Sequence, residues 1–195
     1  RYQRHSKAQT IYYFKYIAMR IISGLHKGKR LMAPKSLPVR PTTDFAKEGL
    51  FNILNHRWMF QDISLLDLFS GTGNISYEFA SRGCKDITSV DSHFGCIKYI
   101  SKIAEELHYN IHAIKADIFK YTKMPSRSFD IIFADPPYDF TLQQLEQMIS
   151  QSFKNGLVSQ EGVFILEHSK HTDVSGFERF SESRRYGGSV FSFFQ

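Results

Sequence analysis

Two short motifs combine residue types that could bind a positively charged ligand and hold an amine in place. In the first, the apolar segment ISLLDLF runs into the turn SGTGN at residues 63–74. Gly71 and Gly73 permit a tight turn and a close approach of the backbone to a ligand at a helix N-terminus. Asp67 would repel a pyrophosphate but would suit a ligand that carries an ammonium and a sulfonium group. Ser76 stands where a dinucleotide-binding turn has its last Gly or Ala, which disfavours a nicotinamide oxidoreductase.

The second motif is DPPY at residues 135–138, directly after the apolar segment DIIFA. Prolines fix the backbone and donate no hydrogen bonds, so the Asp135 carboxylate and the Pro136 carbonyl are free acceptors. Such acceptors hold the hydrogens of an exocyclic amine and aim its lone pair outward, while the Tyr138 ring offers a base a stacking surface. Much of the catalysis would then be positioning of the amine. The alternative is a rigid loop without a catalytic role.

Two further acidic residues end predicted strands. Asp91 closes the segment DITSVD, 24 residues after Asp67. Nucleotide-binding folds have a carboxylate at a similar distance from the glycine turn, where it accepts hydrogen bonds from the ribose. Asp117 could accept from an adenine amino group while Ile118 packs on the ring. A helix N-cap explains Asp117 equally well.

An alternation of short apolar strands and helices positions these acidic residues. It predicts strands at 63–69, 86–91, 110–117, 129–135 and 162–168, helices at 74–82, 94–107 and 141–153, and a closing antiparallel pair around 187–188. This pattern is typical of an α/β fold with a mostly parallel sheet and helices on both faces. Ligands of such sheets bind at the carboxyl ends of the strands, so the four acidic residues should meet in one crevice. Glu167 and His168 end the fifth strand near it.

The segment that precedes this sheet is strongly basic. Residues 1–60 contain twelve lysines and arginines but only Asp44 and Glu48 as acids, and the whole chain has a net charge of +6. This distribution favours contact with a polyanion, although a solvated basic surface would have the same charge. Residues 19–23 and 29–33 are predicted to be two strands of a hairpin.

A helix should follow the hairpin, capped by Thr43 or Asp44 and running over residues 45–55. Four apolar side chains are expected near one of its faces: Phe45, Leu50, Phe51 and Leu54.

Other features narrow the class of protein. Cys84 and Cys96 are neither a disulfide framework nor a zinc signature, which favours a reducing, cytoplasmic compartment. No apolar run approaches the roughly 18 residues needed to span a membrane, so we expect no membrane contact. We also expect no metal, because six histidines lack metal-ligand spacing: His26, His56, His93, His108, His112 and His168.

The two motifs, in this order, resemble the amino-group-specific branch of class I S-adenosylmethionine methyltransferases. Four further segments, RIISGLHKGKRL, RPTTDFAKEGLFNIL, ILEHS and RRYGGSVFSFF, resemble the RsmD family, which methylates the N2 amine of a guanine in 16S rRNA. The likeness covers about residues 19–194. It implies a Rossmann-like, seven-stranded sheet whose last strand is antiparallel, S-adenosylmethionine as cofactor, and modification of bacterial ribosomes in the cytoplasm. Gly49 departs from the family pattern and predicts loose last turns in its helix.

The resemblance implies a role for each site residue. The methionine end of the cofactor would lie against Asp67, Phe69, Gly71 and Gly73. The ribose would be held by Asp91 and Ser92, and the adenine by Asp117 and Ile118. The cofactor's carboxylate would lie beside Arg40, Pro41 and Thr42. The guanine would be received by Asp135, Pro136, Pro137 and Tyr138. Apart from the resemblance, the basic charge of the N-terminal segment predicts that RNA phosphates are contacted by Arg20, Lys27, Lys29 and Arg30, and also by Arg40.

We therefore expect three segments in a monomer that acts on 16S rRNA or the small ribosomal subunit. Residues 1–18 would be an extension, native or vector-derived, without an assigned function. Residues 19–42 would form the basic hairpin and loop, and residues 43–195 the methyltransferase domain. Two other functions stay open. A DNA adenine-N6 methyltransferase uses a similar acceptor loop but has a separate target-recognition domain, and a non-catalytic RNA-binding protein on this fold would have lost motif residues that are all present here.

Overall fold

The computed structural model describes residues 16–39, 42–124 and 127–195. The helices in these ranges are α1 (Asp44–Asn55), α2 (Asn74–Ser81), α3 (Phe94–Leu107), α4 (Ile118–Lys123) and α5 (Leu142–Lys154). The strands are β1 (Tyr16–Arg20), β2 (Arg30–Pro34), β3 (Ser64–Leu68), β4 (Asp86–Asp91), β5 (Ile111–Lys115), β6 (Phe129–Ala134), β7 (Val158–Ser169), β8 (Phe180–Tyr186) and β9 (Ser189–Phe194). None of the described helices is long and apolar enough to cross a membrane.

Seven strands form one sheet in the order β5-β4-β3-β6-β7-β9-β8. The five strands from β5 to β7 are parallel, whereas β9 is antiparallel to both β7 and β8. The predicted seven-stranded sheet with an antiparallel last strand is therefore confirmed. Strand order reverses at β3, because the chain first moves outward to β4 and β5 and then returns to β6. Ligands of open α/β sheets bind at such a reversal.

Helices cover both faces of the sheet, as the alternating pattern predicts. Successive side chains of a strand point to opposite faces, and the fully buried Leu65 and Leu66 belong to two different apolar clusters. Leu65 packs in the cluster that contains Phe51 of α1 and Phe79 of α2. Leu66 packs in the cluster that contains Met148 of α5.

The N-terminal hairpin forms a separate two-stranded sheet in which Arg20 pairs with Arg30. Its first strand begins at Tyr16, three residues before the expected start, and ends before the expected residues 21–23. The backbone amides of Ile22 and Ser23 donate instead to the Glu78 carboxylate of α2, at 2.9 and 3.0 Å. The strand therefore ends early because a carboxylate outside the hairpin takes over these donors.

The connection between β1 and β2 lies against the carboxyl end of α2. Leu25 donates its amide to the Ser81 carbonyl at 2.7 Å. Gly24 has φ +81°, and a Cβ there would lie 1.9 Å from that carbonyl oxygen. Only glycine allows this close approach, so the hairpin is fixed on the domain by its backbone.

A buried ion pair adds a second attachment of the hairpin. Lys47 of α1 and Glu78 of α2 are almost inaccessible to solvent, with 3.5 Å between Nζ and Oε2. Lys47 Nζ also donates to the Arg20 carbonyl at 2.5 Å and to Asn74 Oδ1 at 3.0 Å. Burial lowers the pKa of Lys47, and the Glu78 carboxylate opposes that shift. The contact joins β1, α1 and α2.

Helix α1 confirms the expected cap but not the expected burial of Phe45. Thr43 caps it, as predicted, by accepting from the Ala46 amide at 3.2 Å. Phe45, however, is 65% exposed and does not belong to the buried face of Leu50, Phe51 and Leu54. Phe45 lies in the first turn, and its ring only meets the ring of Tyr186 in the edge strand β8, at 5.9 Å between centroids.

Gly49 does not loosen this helix, which continues to Asn55. A Cβ at Gly49 would lie 2.1 Å from the Tyr186 ring. The Tyr186 hydroxyl donates to the Gly49 carbonyl at 3.2 Å. Glycine is therefore used to admit an aromatic ring of β8 onto the helix.

Candidate active site

A cavity of about 720 Å³ lies at the carboxyl edge of the sheet, where β3 separates β4 from β6. This volume is typical of small-molecule sites. Three of the four predicted acidic residues, Asp67, Asp91 and Asp135, line it together. Other predicted site residues in its walls are Thr42, Phe69, Gly71, Ser92, Pro136, Pro137 and Tyr138. Arg40 and Pro41 lie outside the described residues.

Asp67 is the most buried acidic residue of the cavity wall and is only 2% exposed. Ser76 donates its hydroxyl to Asp67 Oδ2 at 2.5 Å and contacts the Ser89 hydroxyl at 2.7 Å. Burial raises the pKa of Asp67 from 3.8 to about 7, and the Ser76 hydrogen bond opposes the shift. A dinucleotide-binding turn has Gly or Ala at the position of Ser76. Ser76 instead has a hydroxyl group that orients Asp67.

The turn after β3 has an unusual backbone. Phe69, Gly71 and Gly73 have positive φ values of 57°, 52° and 81°. A positive φ is uncommon for a residue with a side chain, and such outliers concentrate at functional sites. Phe69 lines the cavity, whereas Gly73 lies behind it and precedes α2, where a Cβ would meet the Tyr77 ring at 2.7 Å.

Asp91 fixes the two loops on its side of the cavity. Its Oδ2 accepts from the Gly71 amide at 2.9 Å, and its Oδ1 accepts from the His93 amide at 2.8 Å. Each carboxylate oxygen keeps capacity for a further hydrogen bond. Asp91 can therefore hold the loops and accept from a ligand hydroxyl.

Asp117 and Ile118 do not line this cavity. Asp117 Oδ1 accepts from the Lys120 amide at 2.9 Å and caps α4, which is the alternative explanation of this residue given by the sequence. Ile118 is buried in the apolar cluster of α5. Helix α4 itself was missed, because its six residues are too few for a clear pattern.

All four residues of the DPPY loop line the cavity. Pro136 is buried, whereas Pro137 is exposed and Tyr138 is 71% exposed. The Phe140 amide donates to the Pro137 carbonyl at 3.1 Å, and the Phe140 ring meets the Phe69 ring edge-on at 5.3 Å between centroids. The two motifs are therefore in direct contact through Phe140, which the sequence patterns did not indicate.

The buried Glu167 lies close enough to the half-buried Asp135 for their charges to interact. Burial is the main cause that raises the pKa of Asp135 well above its usual value, and the charges of Glu167 and Asp67 act in the same direction. Burial also raises the pKa of Glu167, which the Thr42 hydroxyl opposes by donating to Oε2 at 2.8 Å. Two close, desolvated carboxylates favour a proton on one of them. His168 points away and contacts the Ser192 hydroxyl at 2.8 Å.

Asn74 and Ser70 are further wall residues that sequence reasoning did not single out. Asn74 Nδ2 donates to the Thr42 carbonyl at 3.0 Å and joins Thr42 to α2. The Ser70 hydroxyl is buried without a hydrogen-bond partner in the described part of the chain. An unpartnered buried hydroxyl in a cavity wall is available to a ligand.

The four residues predicted to contact phosphates are all exposed. The Arg20 guanidinium forms an ion pair with Asp44 at 2.8 Å. Among the described residues, Lys27, Lys29 and Arg30 have no ion-pair partner. The described residues also contain no group of three or more His, Cys, Asp and Glu side chains that could hold a metal ion.

Comparisons with known proteins agree with this architecture. A family model described as conserved hypothetical protein 95 matches residues 19–195. Ribosomal RNA small subunit methyltransferase D of Buchnera aphidicola subsp. Baizongia pistaciae is 33% identical over 154 residues, covering 78% of this chain and 77% of that protein. The Haemophilus influenzae protein of the same name is 30% identical over 167 residues, covering 78% and 79%.

A solved structure extends the likeness to a liganded methyltransferase. The T. thermophilus 16S rRNA N2 G1207 methyltransferase RsmC, in complex with AdoMet and guanosine, has a TM-score of 0.72 and 17% identity. The match covers 93% of this chain and 50% of that one, and it concerns the fold alone. Fold and cavity together define a Rossmann-like α/β protein with a ligand cavity at the carboxyl ends of its parallel strands. The family model and the two relatives then identify the family of this chain. The chain belongs to the ribosomal RNA small subunit methyltransferase D (RsmD) family.

Proposed function

We propose that the chain transfers a methyl group from S-adenosylmethionine to the exocyclic N2 amine of a guanine in 16S rRNA of the small ribosomal subunit. One observation carries this proposal: Asp67 and the DPPY acceptors line the same cavity at the point where strand order reverses. That arrangement gives a cationic donor and a flat amine a common site.

The walls of the cavity fit the cofactor. The unpartnered Ser70 hydroxyl and the buried Asp67 carboxylate suit a ligand with polar and cationic groups. When bound, S-adenosylmethionine supplies an electrophilic methyl group on a sulfonium. Its methionine end would be held by Asp67, Phe69 and Gly71, beside Arg40, Pro41 and Thr42, with Gly73 shaping the turn. Its ribose would be held by Asp91 and Ser92.

The adenine would extend past β4 toward the end of β5. Asp117 and Ile118 follow β5, which is the neighbour of β4 in the sheet. Only one carboxylate oxygen of Asp117 is occupied as the cap of α4. The other oxygen stays the proposed acceptor for the adenine amino group.

The DPPY loop would position the guanine. The Asp135 carboxylate and the Pro136 carbonyl would accept the two hydrogens of the N2 amine, which directs the nitrogen lone pair at the methyl group. The exposed Tyr138 ring would stack on a base that has left its helix or lies in an unstacked loop. Pro137 keeps this part of the backbone rigid and free of donors.

The carboxylate pair would receive the proton that methylation releases. As the N–C bond forms and the S–C bond breaks, the amine nitrogen becomes positively charged and then loses one proton. In its ionised form Asp135 would accept that proton, and its raised pKa, caused mainly by burial, makes the ionised carboxylate a stronger base than an ordinary aspartate. Glu167 supports this by its negative charge, and solvent takes the proton at the end of the turnover.

The basic hairpin would bind the RNA backbone. Four exposed residues would make these contacts: Arg20, Lys27, Lys29 and Arg30. Phosphate contacts of this kind give affinity that falls with salt. Such contacts fix the position of the RNA, whereas the DPPY loop would select the base.

The test is to incubate the protein and labelled S-adenosylmethionine with small ribosomal subunits from a strain that lacks the gene. We expect one N2-methylguanosine per 16S rRNA, identified by mass spectrometry of the nucleosides. Protein-free 16S rRNA and adenine-containing duplex DNA serve as parallel substrates. Label in N6-methyladenine of DNA would support the rival DNA methyltransferase, and binding of RNA without transfer would support a non-catalytic protein.

A further inference from the structure

The outer face of the N-terminal hairpin forms one wall of a second cavity. Ala18 pairs with Met32 and Arg20 with Arg30, so these four side chains share one face of the two-stranded sheet. The opposite face, with Leu31 and its neighbours, packs in an apolar cluster with α3. The first face lines a groove of about 430 Å³ against the start of α1.

This groove lies next to the proposed active site. Thr42 and Asn74 line both the groove and the larger cavity, so they form the partition between them. Met19 lines the groove and accepts from the Thr72 hydroxyl at 3.0 Å, and Thr72 lines the larger cavity. An RNA strand that leaves the active site past Thr42 therefore reaches the groove.

The groove combines an apolar wall with a free cation. Ala18 and Met32 supply apolar surface, and methionine sulfur packs well on aromatic rings. Arg20 is neutralised by Asp44, whereas Arg30 has no partner among the described residues. A ligand with one flat ring and one negative charge complements this set, and a nucleotide has both.

We propose that this groove is a subsite for one nucleotide of the RNA, next to the guanine that is methylated. Its base packs against Ala18 and Met32, and its phosphate is bound by Arg30. The inference rests on the proposed function and extends it, because the hairpin then contacts a base as well as phosphates. The partition of Thr42 and Asn74 separates this nucleotide from the target guanine.

Two variants test the subsite by steady-state methylation of small subunits from a strain without the modification. Ala18→Trp fills the groove from an exposed position in β1 and should raise KM about tenfold. Arg30→Gln removes the free cation and should raise KM about fivefold, with kcat changed less than KM in both variants. Arg30→Gln should also lower the slope of log KM against log salt by about one, whereas Ala18→Trp should leave the slope unchanged.

Lys85 provides matched controls, because it is exposed and lies at the amino end of β4, at the opposite edge of the sheet. Lys85→Trp and Lys85→Gln should change KM less than about twofold. Thermal melting checks that Ala18→Trp is folded, and Arg30→Gln alters only an exposed side chain. A KM for Ala18→Trp equal to that of the unaltered protein would overturn the subsite.

A crosslinking experiment identifies the occupant of the groove. With p-benzoylphenylalanine at position 18, irradiation on the small subunit should crosslink the protein to 16S rRNA. A crosslink to a ribosomal protein alone would overturn the nucleotide assignment while methylation continued. Absence of any methylation by the unaltered protein would instead overturn the proposed function, so the two failures are distinguishable.

Discussion

The two halves of the crevice use their carboxylates in different ways. On the β3–β6–β7 side, Asp67, Asp135 and Glu167 are desolvated and their pKa values are raised. On the β4–β5 side, Asp91 and Asp117 accept backbone amides and so hold loops and a helix start. The second half therefore uses its carboxylates to hold its own backbone, in addition to the cofactor contacts proposed for them. Acidic residues at neighbouring strand ends therefore differ in their surroundings, because desolvation dominates in one half and contacts with backbone amides in the other.

The largest effect is expected at Asp135. Asp135→Ala should lower kcat for methyl transfer by about a thousandfold, since it removes the acceptor that orients the amine and takes its proton. Binding of S-adenosylmethionine, measured by calorimetry, should change less than about threefold. Asp139→Ala removes an exposed carboxylate four residues away and should leave kcat within about twofold. Near-normal turnover of Asp135→Ala would place the chemistry elsewhere.

The next effect concerns the pH dependence of stability. The folded-state pKa of Asp67, about 7, lies above the ordinary value of 3.8, so the folded chain binds this proton more tightly than the unfolded chain. The resulting stabilisation is complete below about pH 3.8 and is lost as pH rises through about 7. Asp67→Asn should lack this contribution, which reaches about 4 kcal/mol at most.

Urea unfolding of both proteins between pH 4 and pH 8 measures that difference. The free energy of unfolding of the unaltered protein should fall relative to that of Asp67→Asn as pH rises. Curves that stay parallel over this range would show that Asp67 ionises as easily when folded as when unfolded.

A smaller effect is expected on the framework side, at Asp91. Asp91→Ala removes the acceptor of the Gly71 and His93 amides and the proposed ribose contact. The affinity for S-adenosylmethionine should fall about tenfold to a hundredfold, while the same protein keeps its fold by circular dichroism. Asp86→Asn, at the other end of β4, is the matched control and should bind the cofactor normally. Equal affinities for both variants would contradict the ribose contact.

The smallest effect separates the two roles of Asp117. Asp117→Asn retains a good N-cap and should keep the stability, because its oxygen can still accept from the Lys120 amide. Its amide nitrogen would then face the adenine amino group and lower cofactor affinity about threefold to tenfold. Asp117→Ala should show the same loss of affinity and lower the free energy of unfolding by about 1 kcal/mol. Unchanged affinity in both variants would leave Asp117 with its capping role alone.

Local patterns predicted much of this fold from the sequence. The bounds of β4 and α3 agree with the expected ranges, since apolar periodicity and an acidic strand end mark them clearly. The crevice was predicted for the same reason, and three of its four acidic residues meet there. The role of Asp117 could not be predicted from the sequence, because a helix cap and a contact with the adenine amino group both require a side-chain acceptor such as aspartate.

Long-range contacts could not be read from the sequence. Thr42 meets Glu167 across 125 residues, and Gly49 is explained only by the ring of Tyr186. The early end of β1 depends on Glu78, a buried carboxylate with no signature of its own. These features arise from packing of distant segments, which periodicity does not encode.

The buried pair of Lys47 and Glu78 has a consequence for redesign of the enzyme. Removing one partner leaves an uncompensated charge in the interior, which costs about 3–5 kcal/mol. Lys47 also binds the Arg20 carbonyl of β1, so a replacement of the hairpin must preserve this contact as well as the ion pair. Libraries that aim to change the RNA target can vary Lys27 and Lys29, which lie outside the pair, but must retain Lys47 and Glu78 in every member.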